Sequence, residues 1–125
     1  MPVAMSRENP STSVERAVAM LDAIGARSHG MTNAEISRHL KIPKSSASYI
    51  LRALEKSGYL RRVEAKYRLG LKLLSLRHSA LEGLNVRDVA LPHLRSLAER
   101  LRQTVHLAVW DREEAVYVEK VDAAN

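Results

Sequence analysis

The chain has 125 residues, 46% of them hydrophobic, no cysteine and a formal net charge of +6. This length holds one domain, or one small domain and part of another, and the missing cysteines exclude disulfides and thiol catalysis. The N-terminus carries no continuous apolar run, so neither a signal peptide nor a membrane span is expected, and a cytoplasmic location is. The charge is unevenly spread. Residues 1–74 hold 13 Lys/Arg against 6 Asp/Glu, whereas residues 75–125 hold 7 against 8. A basic excess confined to one half is the footprint expected of a phosphate-binding surface.

Residues 1–11 show no periodicity and read as a flexible arm, with Arg7 its one cation. Thr12 and Glu15 then form a capping-box pattern, and Val14, Ala17, Val18, Leu21 and Ile24 recur at helical spacing to about Ala26. Ser28-His29-Gly30 is the loop that follows. Thr32 and Glu35 repeat the capping-box pattern ahead of Ala34, Ile36 and Leu40, a helix too short to persist alone. Lys41-Ile42-Pro43 ends it, because proline lacks an N–H and disfavours helix in the residue before it.

A third helix starts near Pro43 or Lys44. Its buried positions are Ala47, Ile50, Leu51 and Leu54, and Gly58 stands where a left-handed residue would stop it. The opposite face carries Lys44, Ser45, Ser46, Ser48, Tyr49 and Arg52. Such a face suits plain solvation. It also suits the major groove, where the first turns of the second helix of a helix–turn–helix meet base edges and phosphates. The tight framing and the basic excess favour the second reading, and Thr32 at the mouth of the preceding helix joins the DNA-contact set.

After Gly58 the period changes. Residues 59–63 and 66–69 flank Glu64-Ala65 as a short hairpin that must lean on the helices, a wing. Lys66, Arg62 and Arg68 are its candidate DNA contacts; cations that blunt exposed strand edges are the alternative.

Gly70 opens a helix from Leu71 to about Leu84 with more leucine than one face of a linker needs. Its partner is either a second subunit or the rest of the same chain. Gly83-Leu84-Asn85 reads as a boundary. The next helix runs from about Val86 to Leu101, presenting Val89, Ala90, Leu94, Leu97 and Leu101, with Pro92 placed near its first turn. Two strand-like runs, 104–110 and 115–121, close the sequence as a hairpin around residues 111–114. A helix and two strands are not a complete domain, so either a truncated chain or a protein that pairs these edges with another molecule is expected.

No competing chemistry stands out. The five histidines (29, 39, 78, 93 and 106) make no i, i+4 pair and no His-x-His, so no metal site is expected. Ser45, Ser46 and Ser48 lack a glycine elbow and a local base, and no phosphate-cradling glycine loop occurs. Neither an enzyme nor a cofactor is expected.

SVERAVAMLDAI, LKIPKSSASYILRALEKSGYLRR, YRLGLKLLSL and VALPHLRSLAERLRQTVHLAVWDREEAVYVEKV, in that order, resemble the IclR-type transcription regulators across residues 11–125. The resemblance implies a mainly α fold with small β: a winged helix–turn–helix (12–70), a linker and dimerisation helix (71–85), then the start of an α/β effector-binding domain (86–125). It implies a homodimer joined through the Leu71–Leu84 helix, reading a pseudo-palindromic operator in double-stranded DNA as a repressor or activator. Carried over by position, Lys44, Ser45, Ser46, Ser48, Tyr49 and Arg52 face DNA. Ser48-Tyr49 stands where the family often has His-Arg, and the wing tip is shorter than usual. Most of the family's effector pocket lies in chain that has no counterpart here, so a small-molecule effector is not expected of these residues alone. The other reading is a protein-interaction module forming mixed dimers with full-length relatives.

Overall fold

A computed structural model describes residues 12–123, leaving the proposed arm and Arg7 outside. The chain divides into two compact units, one through Leu76 and one from Arg77 onward.

The first unit is built on α1 (Ser13–Gly25), α2 (Asn33–Leu40) and α3 (Lys44–Lys56), followed by the hairpin β1 (Leu60–Val63) and β2 (Lys66–Leu69). The Thr12 side chain accepts from the Glu15 N–H, and the Thr12 hydroxyl donates to the Glu15 carboxylate at 2.9 Å. At α2 the box is reciprocal: Thr32 Oγ1 accepts from the Glu35 N–H, and Glu35 Oε1 accepts from the Thr32 N–H, both at 3.2 Å. These caps satisfy donors that a helix start leaves bare. Lys41 takes a left-handed conformation to close α2, and Pro43 then caps α3 in an extended one. At the far end Gly58 has φ +83°. There the Tyr59 N–H bonds the Leu54 carbonyl and the Gly58 N–H the Glu55 carbonyl, the double closure that a left-handed C′ residue allows.

The core joins all three helices and both strands: Met20 and Ile24 from α1, Ile36 and Leu40 from α2, Ala47, Ile50 and Leu51 from α3, Leu60 and Tyr67 from the hairpin, and Met31 and Ile42 from the connections. Of the apolar stripe expected on α1, Ile24 is buried and Ala17 and Leu21 pack against the core, but the two valines do not. Met20 is fully buried, whereas Val14 and Val18 are 74% and 42% exposed. The burying stripe is Ala17, Met20, Leu21 and Ile24, again i, i+3, i+4, i+7, one residue out of phase with the two valines.

Met31 is the feature that the expected two-stranded wing lacked. It pairs antiparallel with Tyr67, so the segment before α2 forms a third, one-residue rung beside β2. Farther along, Gly70 approaches the end of α3 so closely that a Cβ on it would lie 2.1 Å from the Gly58 carbonyl oxygen. No side chain fits there.

α4 (Lys72–Glu82) crosses the division between the units and buries no residue. Leu71, just before it, and Leu74 and Leu76 within it are 71%, 63% and 41% exposed. The second unit contains α5 (Asn85–Leu101), β3 (Val105–Asp111) and β4 (Glu114–Val121). Pro92 lies inside α5, two turns from its start rather than near its first turn. A ring there forfeits the bond to the Asp88 carbonyl and crowds that carbonyl, on a side where Asp88 and Pro92 are both exposed to water. The stripe expected on α5 is likewise kept only in part. Ala98 is buried, Ala90, Leu91 and Leu94 are half-buried, and Val89, Leu97 and Leu101 are exposed. The strands pair to Asp111↔Glu114 around a two-residue turn in which Arg112 and Glu113 both have positive φ, so the hairpin is tighter than the four-residue link expected. Arg87 ties α5 to β4 through Glu119 at 2.7 Å.

Candidate nucleic-acid interface

The second helix of the helix–turn–helix is α3, and its burial alternates sharply. Ala47, Ile50 and Leu51 are buried, while Lys44, Ser45, Tyr49 and Arg52 are exposed, Tyr49 to 72%. A 72% exposed tyrosine in the second turn gains nothing from the core. Ser46 is half-buried and, with Ser45 and Tyr49, borders a notch of about 300 Å³ that Ser13 and Arg16 of α1 complete. The first turn of α1 therefore adjoins the polar face of α3. Nothing in the sequence points from α1 to this face, because adjacency of two helix starts leaves no mark in spacing.

Ser48 is differently placed from its neighbours. Its Oγ accepts from Asn33 Nδ2 at 2.5 Å, and Asn33 Oδ1 in turn accepts from Ser37 at 2.9 Å. Asn33 thus pins the start of α2 to the middle of α3. Ser48 is half-buried and serves this clip, with its hydroxyl proton and one acceptor lone pair left to offer a ligand.

Thr32 is half-buried with its side-chain oxygen committed to the cap. The backbone and side chain of Thr32 hold the Glu35 carboxyl below its ordinary pKa range, helped by the positive charges of Lys66 and Arg27. Arg27 Nη1 lies 3.6 Å from Glu35 Oε2. The Met31–Tyr67 rung accounts for the presence of Lys66: in an antiparallel pair the next residues, Thr32 and Lys66, face each other. Two residues expected separately at DNA are brought together by one backbone pairing.

The three basic residues expected at the wing are not equivalent. Lys66 is exposed beside the turn. Arg62 is exposed, with its guanidinium carbon 4.9 Å from the ring centre of its buried cross-strand partner Tyr67, a cation–π contact. Arg68 donates from Nη2 to the Ser28 carbonyl at 2.9 Å, tying β2 to the loop after α1. Neither sits at the tip.

In the second unit Leu81, Leu84, Val109, Trp110 and Tyr117 border an apolar groove of about 660 Å³. Among the described residues no group of three or more His, Cys, Asp or Glu could hold a metal ion, and no helix is long and apolar enough to cross a membrane.

Comparison with known proteins places both units. Residues 13–64 match the model of the IclR helix-turn-helix domain, and residues 78–125 match that of the bacterial transcriptional regulator IclR C-terminal domain. The chain is 34% identical over 112 residues to the HTH-type transcriptional regulator XynR of Escherichia coli, covering 88% of this chain and 44% of that protein. Among solved structures it matches the IclR of Thermotoga maritima (TM-score 0.70, 30% identity, 90% of this chain and 46% of that one). It also matches an IclR homologue from Microbacterium hydrocarbonoxydans complexed with 4-hydroxybenzoate (TM-score 0.73, 29% identity, 90% and 47%). The chain thus spans less than half the length of these relatives.

Proposed function

Because the chain belongs to the IclR family of bacterial transcriptional regulators, with family models matching both of its units, we propose that it is a sequence-specific DNA-binding regulator of transcription. The observation that carries this reading is the exposed face of Lys44, Ser45, Tyr49 and Arg52 on a helix whose other face is fully committed to the core. Small hydroxyls and a tyrosine reach base edges, while the lysine and arginine reach phosphates and set the register. The second helix of a helix–turn–helix enters the major groove by this end.

Two copies, joined through the exposed leucines at 71, 74 and 76, would present two such helices to a pseudo-palindrome. Isolated leucines at a surface are ordinary, but Leu71 just ahead of α4, with Leu74 and Leu76 on a helix that buries nothing, favour a partner. A small-molecule effector is not part of the proposal. Selection of bound sequences from a random duplex pool tests the reading. The proposal expects a consensus, and replacement of Ser46 or Tyr49 should change which bases are preferred. Recovery of no consensus would refute it.

A further inference from the structure

Three side chains between α2 and α3 form a directed series of hydrogen bonds. Ser37, which is 8% exposed, lies 2.8 Å from the Asn33 main-chain carbonyl oxygen and 2.9 Å from Asn33 Oδ1. Both oxygens can only accept, so the Ser37 hydroxyl donates to this pair and Oδ1 is turned toward it. The same orientation turns the amide nitrogen of Asn33 toward α3, where Nδ2 donates to Ser48 Oγ at 2.5 Å. The donors therefore run one way, from Ser37 through Asn33 to Ser48.

The far end of this series is incomplete. Other helical serines return their proton to a main-chain carbonyl close by: Ser37 to Asn33, Ser57 to Ala53 and Ser75 to Lys72. Ser48 makes no such bond, and among the described residues its hydroxyl proton has no acceptor. The spare lone pair on Oγ can stay empty at little cost, because the oxygen already accepts from Asn33. The proton is different: a donor covered by a ligand that offers no acceptor loses its water and gains nothing in return. Ser48 is half-buried, one turn beyond Lys44 and one turn before Arg52, so a duplex seated on those two exposed residues covers it.

We propose that Asn33 is a positioning residue that sets Ser48 to read an acceptor on a base edge, guanine N7 or O6 or thymine O4, and to reject the amino group of cytosine. The inference rests on the DNA-binding reading above and deepens it. An unconstrained serine hydroxyl pairs with donors and acceptors alike. The Asn33 bond removes half of that freedom, since a second donor brought to Oγ strands the hydroxyl proton. In the major groove guanine offers two acceptors and no donor, and cytosine offers its amino donor. Ser48 thus discriminates chiefly through what it refuses.

The test uses the full chain and the duplex that the wild type selects from a random pool. Each base pair of that duplex is changed in turn to the other three, and relative affinities are measured for the wild type, Ser48→Ala and Asn33→Asp. Ser48→Ala identifies the position that Ser48 reads, where preference among bases should flatten. At that position the wild type should favour guanine or thymine over cytosine by about fivefold or more. Asn33→Asp reverses the series. A carboxylate of nearly the same shape can only accept, so Ser48 must donate to it and is left with lone pairs to present. The preference should then invert toward cytosine, on top of a loss at all sequences from the added negative charge. The first turn of a helix favours a carboxylate, so α2 persists in this variant.

A clip with a structural role alone would weaken binding in Asn33→Asp and leave the order of the bases unchanged, and that result overturns the proposal. So does a wild type that favours cytosine at the Ser48 position, or a Ser48→Ala protein with wild-type preferences throughout. In each of these cases a consensus is still recovered and the regulator reading stands. Recovery of no consensus sinks both.

Discussion

Met31 and Tyr67 exchange both of their backbone hydrogen bonds, at 3.0 Å from the Met31 N–H and 2.7 Å from the Tyr67 N–H. This one rung fastens the wing to the entry of α2, and both side chains go into the core. It also brings Lys66 beside Thr32, so the wing and the helix–turn–helix present one surface rather than two. Gly30, immediately before it, has φ +78°, and a Cβ there would lie 2.6 Å from the Tyr67 carbonyl oxygen. Gly30→Ala should therefore cost more than about 1 kcal/mol. The check is denaturant unfolding together with amide exchange, in which the Met31 and Tyr67 amides should lose protection ahead of the helices. Unchanged exchange at those two amides would show that the rung does not depend on this glycine.

Ser48 and Ser45 separate structure from recognition. Ser48→Ala removes the acceptor of the Asn33 amide and should lower stability by about 1 kcal/mol. Ser45 is exposed, so Ser45→Ala should leave the unfolding midpoint in place and change DNA affinity alone. Thermal melts alongside binding assays distinguish the two. Equal melting temperatures for both variants would remove the clip from the account.

The Glu35 carboxyl is held below its ordinary pKa, first by its hydrogen bonds with Thr32 and then by Lys66 and Arg27. A depressed folded-state pKa adds stability above the unfolded value and loses it as pH falls through the folded one. Melting temperature followed from about pH 7 down to pH 3 should thus decline less steeply in Glu35→Gln than in the wild type, the two converging in acid. Parallel curves would contradict this.

Leu71, Leu74 and Leu76 give the dimer proposal its test. Leu74→Glu places a charge at a 63% exposed position, where it should be harmless to a monomer. Sedimentation equilibrium should show the wild type at twice the chain mass and the variant at the chain mass. A wild type that sediments as a monomer, or a variant that stays dimeric, would end this assignment.

Much of the first unit was legible in the sequence because local chemistry determines it. Thr32 with Glu35, Pro43 after Ile42, and Gly58 at the end of α3 each have a single backbone use, and all three occur. The Met31 rung was not legible, since a one-residue strand has no period. The destinations of Arg62 and Arg68 were hidden for another reason: a long side chain chooses among partners that only the folded backbone brings near, here the Tyr67 ring and the Ser28 carbonyl. Val14 and Val18 of α1 and Val89, Leu97 and Leu101 of α5 were misplaced because several apolar residues lie on each helix and only tertiary packing selects the face. The Arg112-Glu113 turn carries neither Gly nor Asn, so its positive φ angles had no signal.

Arg52 links the recognition face to measured binding. If it contacts phosphate, Arg52→Ala should lower affinity about equally for all sequences and reduce the salt slope by about 1. An unchanged slope would remove it from the interface.

The most direct measurement of the central claim is binding to a duplex carrying the DNA upstream of the neighbouring genes, against a scrambled duplex of equal length, across a salt series. A sequence-specific regulator should prefer the first by roughly 10³-fold or more, with log affinity falling linearly with log salt on both. Equal affinities at every salt concentration would contradict it.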